Sequence, residues 1–265
     1  MDLKNILYAV ASLTAMGLLF GVILGVAAKV FAVKTDPRIE QITHVLPGAN
    51  CGGCGFAGCA NFADAVVKAG APTNGCMVGG AKVVARIATI MGQEPLEVVP
   101  QVAVVKCSSS CDNVKQKYHY EGYDTCKAID SLSGGSKQCP YACCGLGDCV
   151  RACLFDAIHV VDGVAVVDRS KCTGCGACTR ACPKNIIVLR EASCDHEVLC
   201  SSLKRGIEVR DVCKVGCVAC GICVRNCHGN AITLVDNLAT IDPKKCINCG
   251  VCVDVCPRHT IRELP

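Results

Sequence analysis

The longest hydrophobic pattern in the chain is an apolar run near its N-terminus. The 23 residues from Ile6 to Ala28 are uncharged, and apolar residues continue past Lys29 to Val33. A helix needs about 20 apolar residues to cross the hydrocarbon core of a membrane. A cleaved signal peptide is the alternative, but the run is longer than the apolar region of such a peptide, and residues 26–28 (VAA) make a poor cleavage site. The pattern therefore predicts a retained transmembrane anchor.

The charges that flank this run predict its orientation. Before the run, the positive charge of Lys4 is balanced by the negative charge of Asp2. After the uncharged residues come three positive charges, Lys29, Lys34 and Arg38. Because positive charge is enriched on the cytoplasmic side of membrane helices, the bulk of the chain is expected in the cytoplasm. The glycines at positions 17, 21 and 25 form a stripe of small residues on one helical face. Such a stripe permits close packing against another membrane helix and favours a partner in the membrane.

Two short apolar alternations further along the chain predict β-hairpins. Residues 158–167 read IHVV-DG-VAVV, and residues 232–241 read ITLV-DN-LATI. Asp162-Gly163 is a strong two-residue hairpin turn, and Asp236-Asn237 is a weaker one. A separate segment, residues 60–68, is expected to form a short helix.

Cysteine changes the picture that these patterns give. The chain has 27 cysteines among 265 residues, no tryptophan and only 4% aromatic residues. A disulfide scaffold is one interpretation of so many cysteines, and a metal protein is the other. The odd count and the tight C-x-x-C runs favour metal, since disulfides across two residues close small, strained loops. The net charge of +4 is too small to indicate a nucleic-acid partner.

The first cysteine group follows the apolar run and is rich in glycine. Its thiols are Cys51, Cys54, Cys59 and, after a long gap, Cys76. Glycine allows the backbone to wrap closely around a bulky inorganic core. Four thiolates can also bind zinc, but zinc folds usually pair two C-x-x-C knuckles. One compact triplet with a distant fourth thiol therefore favours a [4Fe–4S] cluster.

An internal duplication organises the remaining cysteines. An offset of 74 residues relates nine pairs of cysteines without a gap. The pairs are Cys126/Cys200, Cys139/Cys213, Cys143/Cys217, Cys149/Cys223, Cys153/Cys227, Cys172/Cys246, Cys175/Cys249, Cys178/Cys252 and Cys182/Cys256. The predicted hairpins lie at matched positions in both copies, so we expect one structural module used twice.

Three of the four cysteine runs in these copies have the C-x2-C-x2-C-x3-C spacing of bacterial ferredoxins. In ferredoxins, the first three thiols of a run bind one cluster and the fourth thiol crosses to the partner cluster. Crossed ligation predicts three quartets: Cys217, Cys220, Cys223 and Cys256; Cys246, Cys249, Cys252 and Cys227; and Cys172, Cys175, Cys178 and Cys153. His228 follows the fourth thiol of one run, and we expect it to pack on the surface.

The fourth run, CPYACCGLGDCVRAC, lacks its middle thiol because Leu146 matches Cys220. Cys139 and Cys144 are both candidates to replace it. Since the adjacent thiols of Cys143 and Cys144 diverge, the prediction is a cluster on Cys139, Cys143, Cys149 and Cys182.

Seven cysteines are left without a quartet: Cys107, Cys111, Cys126, Cys144, Cys194, Cys200 and Cys213. A sixth cluster on Cys107, Cys111 and Cys126, with Cys139 as its fourth ligand, competes with the assignment of Cys139 to the fourth run. Buried free thiols that pack as small apolar groups are the alternative. Five [4Fe–4S] clusters are expected without that sixth one.

With its anchor, its CGGCGFAGC stretch with the late Cys76, and its ferredoxin modules, the chain resembles the B subunits of the Rnf complex, an ion-translocating ferredoxin:NAD+ oxidoreductase. The resemblance implies an electron-transfer subunit that accepts electrons from soluble ferredoxin. It also implies partners in the membrane and partners that carry flavin and NAD, in a complex that couples NAD+ reduction to export of Na+ or H+.

The expected fold class is α+β, in five parts. These are a transmembrane anchor (1–34), a four-cysteine [4Fe–4S] domain (35–92), a cysteine-containing linker (93–125) and two tandem ferredoxin-like modules (126–193 and 194–265). We find no G-x-G-x-x-G after a strand, no P-loop and no catalytic triad signature, so no chemistry besides electron relay is expected in this chain. The alternatives are a polyferredoxin subunit of another membrane enzyme, such as a hydrogenase, and a zinc-stabilised scaffold.

Overall fold

The computed structural model describes residues 3–31 and 36–264, and within it the apolar run forms one long helix. Helix α1 spans Leu3–Val30. Its segment Val10–Val30 has a mean hydropathy of 2.2 and is long and apolar enough to cross a membrane, and none of it is buried within the chain. Asp2 and Lys34, two of the charges used to predict orientation, lie outside the described residues.

The next unit packs three helices around a small apolar core. They are α2 (Pro37–Val45), α3 (Cys59–Lys68) and α4 (Gly80–Met91). The core includes Ile42, Phe62 and Ile87, each at most 1% exposed. Helix α3 begins at the third cysteine of the first group, so the helix predicted for residues 60–68 is confirmed with one more residue at its start.

The remaining residues form four two-stranded antiparallel sheets joined by short helices. The first half contains β1 (Gln101–Val105), α5 (Cys126–Ser131), α6 (Asp148–Arg151), β2 (Ile158–Val161), β3 (Val164–Val167), α7 (Ala177–Ala181) and β4 (Ile187–Glu191). The second half contains β5 (His196–Val198), α8 (Gly206–Val212), α9 (Ile222–Arg225), β6 (Ile232–Val235), β7 (Leu238–Ile241), α10 (Val251–Asp254) and β8 (Ile261–Glu263). Both predicted hairpins are confirmed, as β2–β3 and β6–β7.

The two halves have the same arrangement of strands. The number of residues between equivalent positions is larger for their first strands, β1 and β5, than for the other elements. Strand β1 pairs with β4 so that Val105 lies opposite Ile187, and β5 pairs with β8 so that Val198 lies opposite Ile261. Ile187 and Ile261 are 74 positions apart, whereas Val105 and Val198 are 93 apart. The first half therefore carries an insertion between β1 and α6. Strand β1 lies in the stretch expected to be a linker, yet it belongs to the first half.

The cores of the two halves are built from small and β-branched residues together with cysteines. Ile158, Val164 and Ile187 are buried in the first half, and Ile232 and Ile261 are buried in the second half. The partly exposed cysteines of both halves pack against these residues. Isoleucine, valine and cysteine side chains therefore make up most of these cores, in which large aromatic residues are absent among the residues that the structure describes.

Hydrogen bonds and an ion pair join the two halves. The Lys106 ammonium, at the end of β1, lies 2.6 Å from a Glu197 carboxylate oxygen in β5, and both side chains are buried. Arg190 of β4 contacts the other oxygen of the same carboxylate at 2.8 Å. Since a buried charge is costly unless it is paired, this contact favours one fixed arrangement of the halves.

Candidate metal centres

The four-cysteine group near the N-terminus converges in the helical unit. Cys51 and Cys54 lie in the loop before α3, Cys59 begins α3, and Cys76 precedes α4. The Asn50 side-chain oxygen accepts a hydrogen bond from the Cys59 backbone N–H at 2.9 Å and fixes the loop against the helix. Burial raises the pKa of the Cys76 thiol, and the nearby thiols of the other three cysteines raise it further. The structure therefore brings this predicted quartet together.

The second half contains two small cavities, each lined by one quartet. One cavity is lined by Cys217, Cys220, Cys223 and Cys256. The other is lined by Cys227, Cys246, Cys249 and Cys252. In both, the fourth thiol comes from the other run, as crossed ligation predicts. Apolar side chains, such as Leu234 in the first cavity and Ile241 in the second, complete the walls.

The first half contains the matching cavity for its intact run. Cys153, Cys172, Cys175 and Cys178 line it, together with Phe155. Burial raises the pKa of Cys178 to about 11, and the other three thiols contribute in the same direction. All three predicted crossed quartets are thus brought together by the fold.

Backbone N–H groups point at the sulfurs of these cavities. Ala157 donates to Cys153 at 3.4 Å, and its counterpart Ala231 donates to Cys227 at 3.3 Å. Thr260 donates to Cys256 at 3.4 Å. Hydrogen bonds to the ligand sulfurs stabilise negative charge and tune the potentials of iron–sulfur clusters.

The run at residues 139–153, the broken run, lacks its middle thiol at Leu146. It forms a cavity in which a different cysteine from the predicted Cys139 replaces this thiol. Cys126, Cys143, Cys144, Cys149 and Cys182 line it, and Cys139 does not. The reason is the insertion between β1 and α6. It contains α5, and Cys126, the first residue of α5, lies next to the broken run. The backbone N–H groups of Leu146 and Asp148 donate to the Cys126 sulfur. The Cys126 sulfur therefore lies at the place where the middle thiol is missing.

Two contacts hold helix α5 in this position. The Asp148 carboxylate accepts a hydrogen bond from the Lys127 backbone N–H at 3.2 Å. Lys184 lies two residues after Cys182, and its ammonium is 2.6 Å from a carboxylate oxygen of Asp130. Residues of the ligand loops thus fix the inserted helix that carries Cys126.

Cys144 also lines this cavity, next to Cys126. Its thiol is a neighbour of the Cys126 thiol, and their hydrogen bond, together with backbone N–H groups, lowers the pKa of Cys126. Cys149 has thiol neighbours at Cys143, Cys126 and Cys182, and burial raises its pKa to about 12. The arrangement favours Cys126, Cys143, Cys149 and Cys182 as the quartet, with Cys144 next to it.

The sixth site expected on Cys107, Cys111, Cys126 and Cys139 is not assembled. Cys126 lies in the cavity of the broken run, and Cys111 is exposed on the short 3-10 helix of residues 111–113. Cys139 instead has Cys107 and Cys213 as neighbours, and burial raises its pKa.

The distances between side chains bear on the kind of metal. Among the residues that the structure describes, no three Cys, His, Asp or Glu side chains lie close enough to hold a single metal ion. The four thiolates of an iron–sulfur cluster bind different iron atoms, so they need not converge on one ion.

One residue at these sites, His196, could not be predicted from the spacing of the cysteines. His196 of β5 is 8% exposed and lines the cavity of Cys227, Cys246, Cys249 and Cys252. Its Nδ1 atom is buried without a hydrogen-bond partner. Because His196 lies some thirty residues before its neighbours in sequence, only the β5–β8 pairing brings it there.

The N-terminal quartet lies against the first half. The Arg180 guanidinium of α7 donates to the Cys51 carbonyl at 3.0 Å. A Cβ atom added to Gly53 would lie 2.7 Å from the Cys175 carbonyl oxygen. The two backbones can approach this closely only because residue 53 is glycine.

Three family models match parts of the chain. A model described as an Fe-S cluster matches residues 46–78, which include the N-terminal quartet. A model described as a 4Fe-4S binding domain matches residues 165–188, and one described as a 4Fe-4S dicluster domain matches residues 216–260. The last two matches contain cysteine runs that line the cavities described above.

Relatives from three organisms match more than nine tenths of this chain. The B subunit of the ion-translocating oxidoreductase complex of Methanosarcina acetivorans is 42% identical over 254 residues, which cover 96% of each chain. The B subunit of the Na(+)-translocating ferredoxin:NAD(+) oxidoreductase complex of Acetobacterium woodii is 44% identical over 98% of this chain and 78% of the relative. The proton-translocating counterpart from Clostridium ljungdahlii is 40% identical over 91% of this chain and 85% of the relative. The resemblance inferred from the motifs is therefore confirmed, and the chain belongs to the family of B subunits of ion-translocating oxidoreductase complexes, the Rnf complexes.

Proposed function

We propose that the chain is a membrane-anchored electron-transfer subunit that accepts electrons from reduced ferredoxin and passes them on within an ion-translocating ferredoxin:NAD+ oxidoreductase. The relatives from Acetobacterium woodii and Clostridium ljungdahlii are named for such complexes. The observation that carries the proposal is the set of thiol-lined cavities, because each quartet matches the ligand set of a [4Fe–4S] cluster.

Five such ligand sets follow from the cavities and from the N-terminal quartet. They are Cys51, Cys54, Cys59 and Cys76; Cys153, Cys172, Cys175 and Cys178; Cys126, Cys143, Cys149 and Cys182; Cys217, Cys220, Cys223 and Cys256; and Cys227, Cys246, Cys249 and Cys252. Each half is then a two-cluster ferredoxin-like module, and bound clusters supply one-electron carriers.

Contacts between residues of successive quartets support electron transfer from one quartet to the next. The Cys51 loop contacts Cys175 across Gly53. Within the first half, Cys149 has Cys178 of the other quartet among its thiol neighbours. These contacts support an electron path through three quartets, from the N-terminal unit into the first half.

Helix α1 is the proposed membrane anchor, with the cysteine-rich units on the cytoplasmic side. Its length and hydropathy fit a membrane span, and Lys29 lies at its C-terminal end. The helix carries no acidic residue, so it offers no carboxylate for ion transport. Ion translocation, flavin and NAD binding are therefore assigned to partner subunits.

A zinc-stabilised scaffold is the rival that metal analysis separates most cleanly. The full chain, purified without oxygen, should be brown and contain about four irons and four sulfides per quartet. A colourless chain with about one zinc per quartet would contradict the proposal. Reconstitution with iron and sulfide, followed by the same analysis, guards against cluster loss during purification.

A further inference from the structure

Four buried or half-buried thiols lie outside the five quartets, where the two halves meet. Cys107 follows β1 by two residues, and Cys200 follows β5 by two residues. Because β1 and β5 occupy equivalent places in the two halves, Cys107 is the structural counterpart of Cys200. Cys126, which the 74-residue offset pairs with Cys200, is not its structural equivalent. Cys139 and Cys213 are the other matched pair.

A reciprocal pair of hydrogen bonds joins the segments of Cys107 and Cys200 across the junction. The Ser201 hydroxyl donates to the Lys106 carbonyl at 2.9 Å. The Ser108 hydroxyl donates to the Leu199 carbonyl at 3.5 Å. Each bond joins the residue after one cysteine to the residue before the other, so an approximate two-fold axis passes between the two cysteines.

The inserted segment brings Cys139 and Cys213 to the same junction. Val114 forms an antiparallel bridge with Cys213. The next residue, Lys115, accepts a hydrogen bond from the Gln138 N–H at 2.8 Å, directly before Cys139. The extended segment at Val114 and Lys115 thus lies between Cys139 of the first half and Cys213 of the second half.

The four thiols are neighbours of one another. The Cys139 thiol has those of Cys107 and Cys213 nearby, Cys213 has Cys107, and Cys200 has Cys139. Cys107 and Cys200 are each 8% exposed, and Cys213 is 6% exposed. The four thiols therefore form one group, and three of them are buried.

The surroundings of the four sulfurs match those of the five quartets. The Cys143 N–H donates to Cys107 at 3.4 Å, and the Ser202 N–H donates to Cys200 at 3.5 Å. Backbone N–H groups of Tyr141 and Val215 donate to Cys139 and Cys213. The buried Lys106 ammonium lies near Cys200, where it offsets thiolate charge.

We propose that Cys107, Cys139, Cys200 and Cys213 bind a further [4Fe–4S] cluster, held by two thiolates from each half. The inference rests on the proposed function, since it assumes that the other quartets bind iron–sulfur clusters. It also accounts for most of the cysteines outside the five quartets, because four of them become ligands and a fifth, Cys144, lies beside the ligand Cys126. The cysteines outside the five quartets are Cys107, Cys111, Cys139, Cys144, Cys194, Cys200 and Cys213.

The site lies between the two modules on the electron path. Cys107 accepts a hydrogen bond from Cys143, a ligand of the broken-run quartet. Cys200 accepts one from the backbone N–H of Cys217, a ligand in the second half. The shared cluster therefore connects the first module to the second and makes the series of quartets continuous.

Iron analysis of the full chain tests the proposal. The unaltered chain should hold about 24 irons, whereas five quartets would give about 20. The pairs Cys107→Ala with Cys200→Ala, and Cys139→Ala with Cys213→Ala, should each remove about four irons. The quadruple variant should also remove only about four, because all four thiols serve one cluster. Cys111→Ser, at an exposed thiol of the same region, is the control and should remove none.

Three results would overturn the shared cluster. They are about 20 irons in the unaltered chain, an unchanged iron content in both double variants, or a loss of about eight irons in the quadruple variant. The measurement on the unaltered chain decides the matter even if the variants fold poorly. A chain that binds zinc in place of iron would instead refute the proposed function itself.

Discussion

The Lys106 ammonium and the Glu197 carboxylate form a buried ion pair, at 2.6 Å, between two strands that belong to different halves of the chain. The same pair lies beside Cys200, at the junction of the halves. Burial lowers the pKa of Lys106, and Glu197 opposes that effect. The charge of Lys106 therefore depends on a partner from the other half.

Glu197→Gln should destabilise the junction. The change leaves the Lys106 ammonium buried without a carboxylate, a situation that typically costs about 3–5 kcal/mol. Chemical denaturation of the full chain, followed by circular dichroism without oxygen, measures the loss. Glu208→Gln is the matched control, because Glu208 pairs with Lys204 at 3.2 Å on the surface. The control should cost less than about 1 kcal/mol, and equal effects of both changes would contradict a structural role for the buried pair.

Cys126→Ser should remove the cluster of the broken run. Its sulfur lies where Leu146 replaces a thiol, so the iron content should fall by about four per chain. Cys144→Ser should leave the iron content unchanged, since Cys144 lies next to Cys126 but is not one of the four proposed ligands.

A rescue variant makes this assignment sharper. Adding Leu146→Cys to Cys126→Ser should restore the lost iron, because position 146 corresponds to the ligand Cys220 in the second half. Full iron content in Cys126→Ser alone, or a loss in Cys144→Ser with none in Cys126→Ser, would show that Cys144 is the ligand.

Gly53→Ala should separate the N-terminal quartet from the first module. The added Cβ would lie 2.7 Å from the Cys175 carbonyl oxygen, so one backbone must move. Electron exchange between the N-terminal cluster and the rest should slow, as measured by rapid freeze-quench EPR, at unchanged iron content. Arg86→Ala, on the exposed side of α4, is the control. Unchanged exchange rates in Gly53→Ala would show that this contact is not part of the electron path.

Deletion of residues 1–34 should abolish assembly with the membrane partners without affecting the clusters. No residue in the segment Val10–Val30 of helix α1 is buried within the chain, and residues 36–264 have cores of their own. The truncated chain should therefore keep its iron and still accept electrons from ferredoxin. Copurification with the membrane subunits measures the loss, and intact assembly of the truncated chain would contradict the anchoring role.

The sequence predicted those parts of the fold that depend on local patterns. The Asp162-Gly163 turn fixed the register of the first hairpin, since two-residue turns determine which residues lie opposite each other. The three intact runs predicted their crossed quartets because their spacing places four thiols around each cavity.

The replacement at Leu146 and the thiols at the junction depend on contacts that spacing does not encode. Cys126 reaches the broken run only through the insertion, and the 74-residue offset misleadingly pairs it with Cys200. A weaker signal was present, because residues 105–109 (VKCSS) resemble residues 198–202 (VLCSS). That match, at an offset of 93, is enough to identify Cys107 as the counterpart of Cys200.

The most direct test of the relay function is stopped-flow mixing of reduced ferredoxin with the iron-loaded full chain in the absence of oxygen. We predict that ferredoxin becomes oxidised while the brown absorbance of the chain bleaches, and that several electrons enter each chain because each cluster accepts one. Ferredoxin that stays reduced in the presence of a chain carrying its full complement of iron would contradict the proposed function.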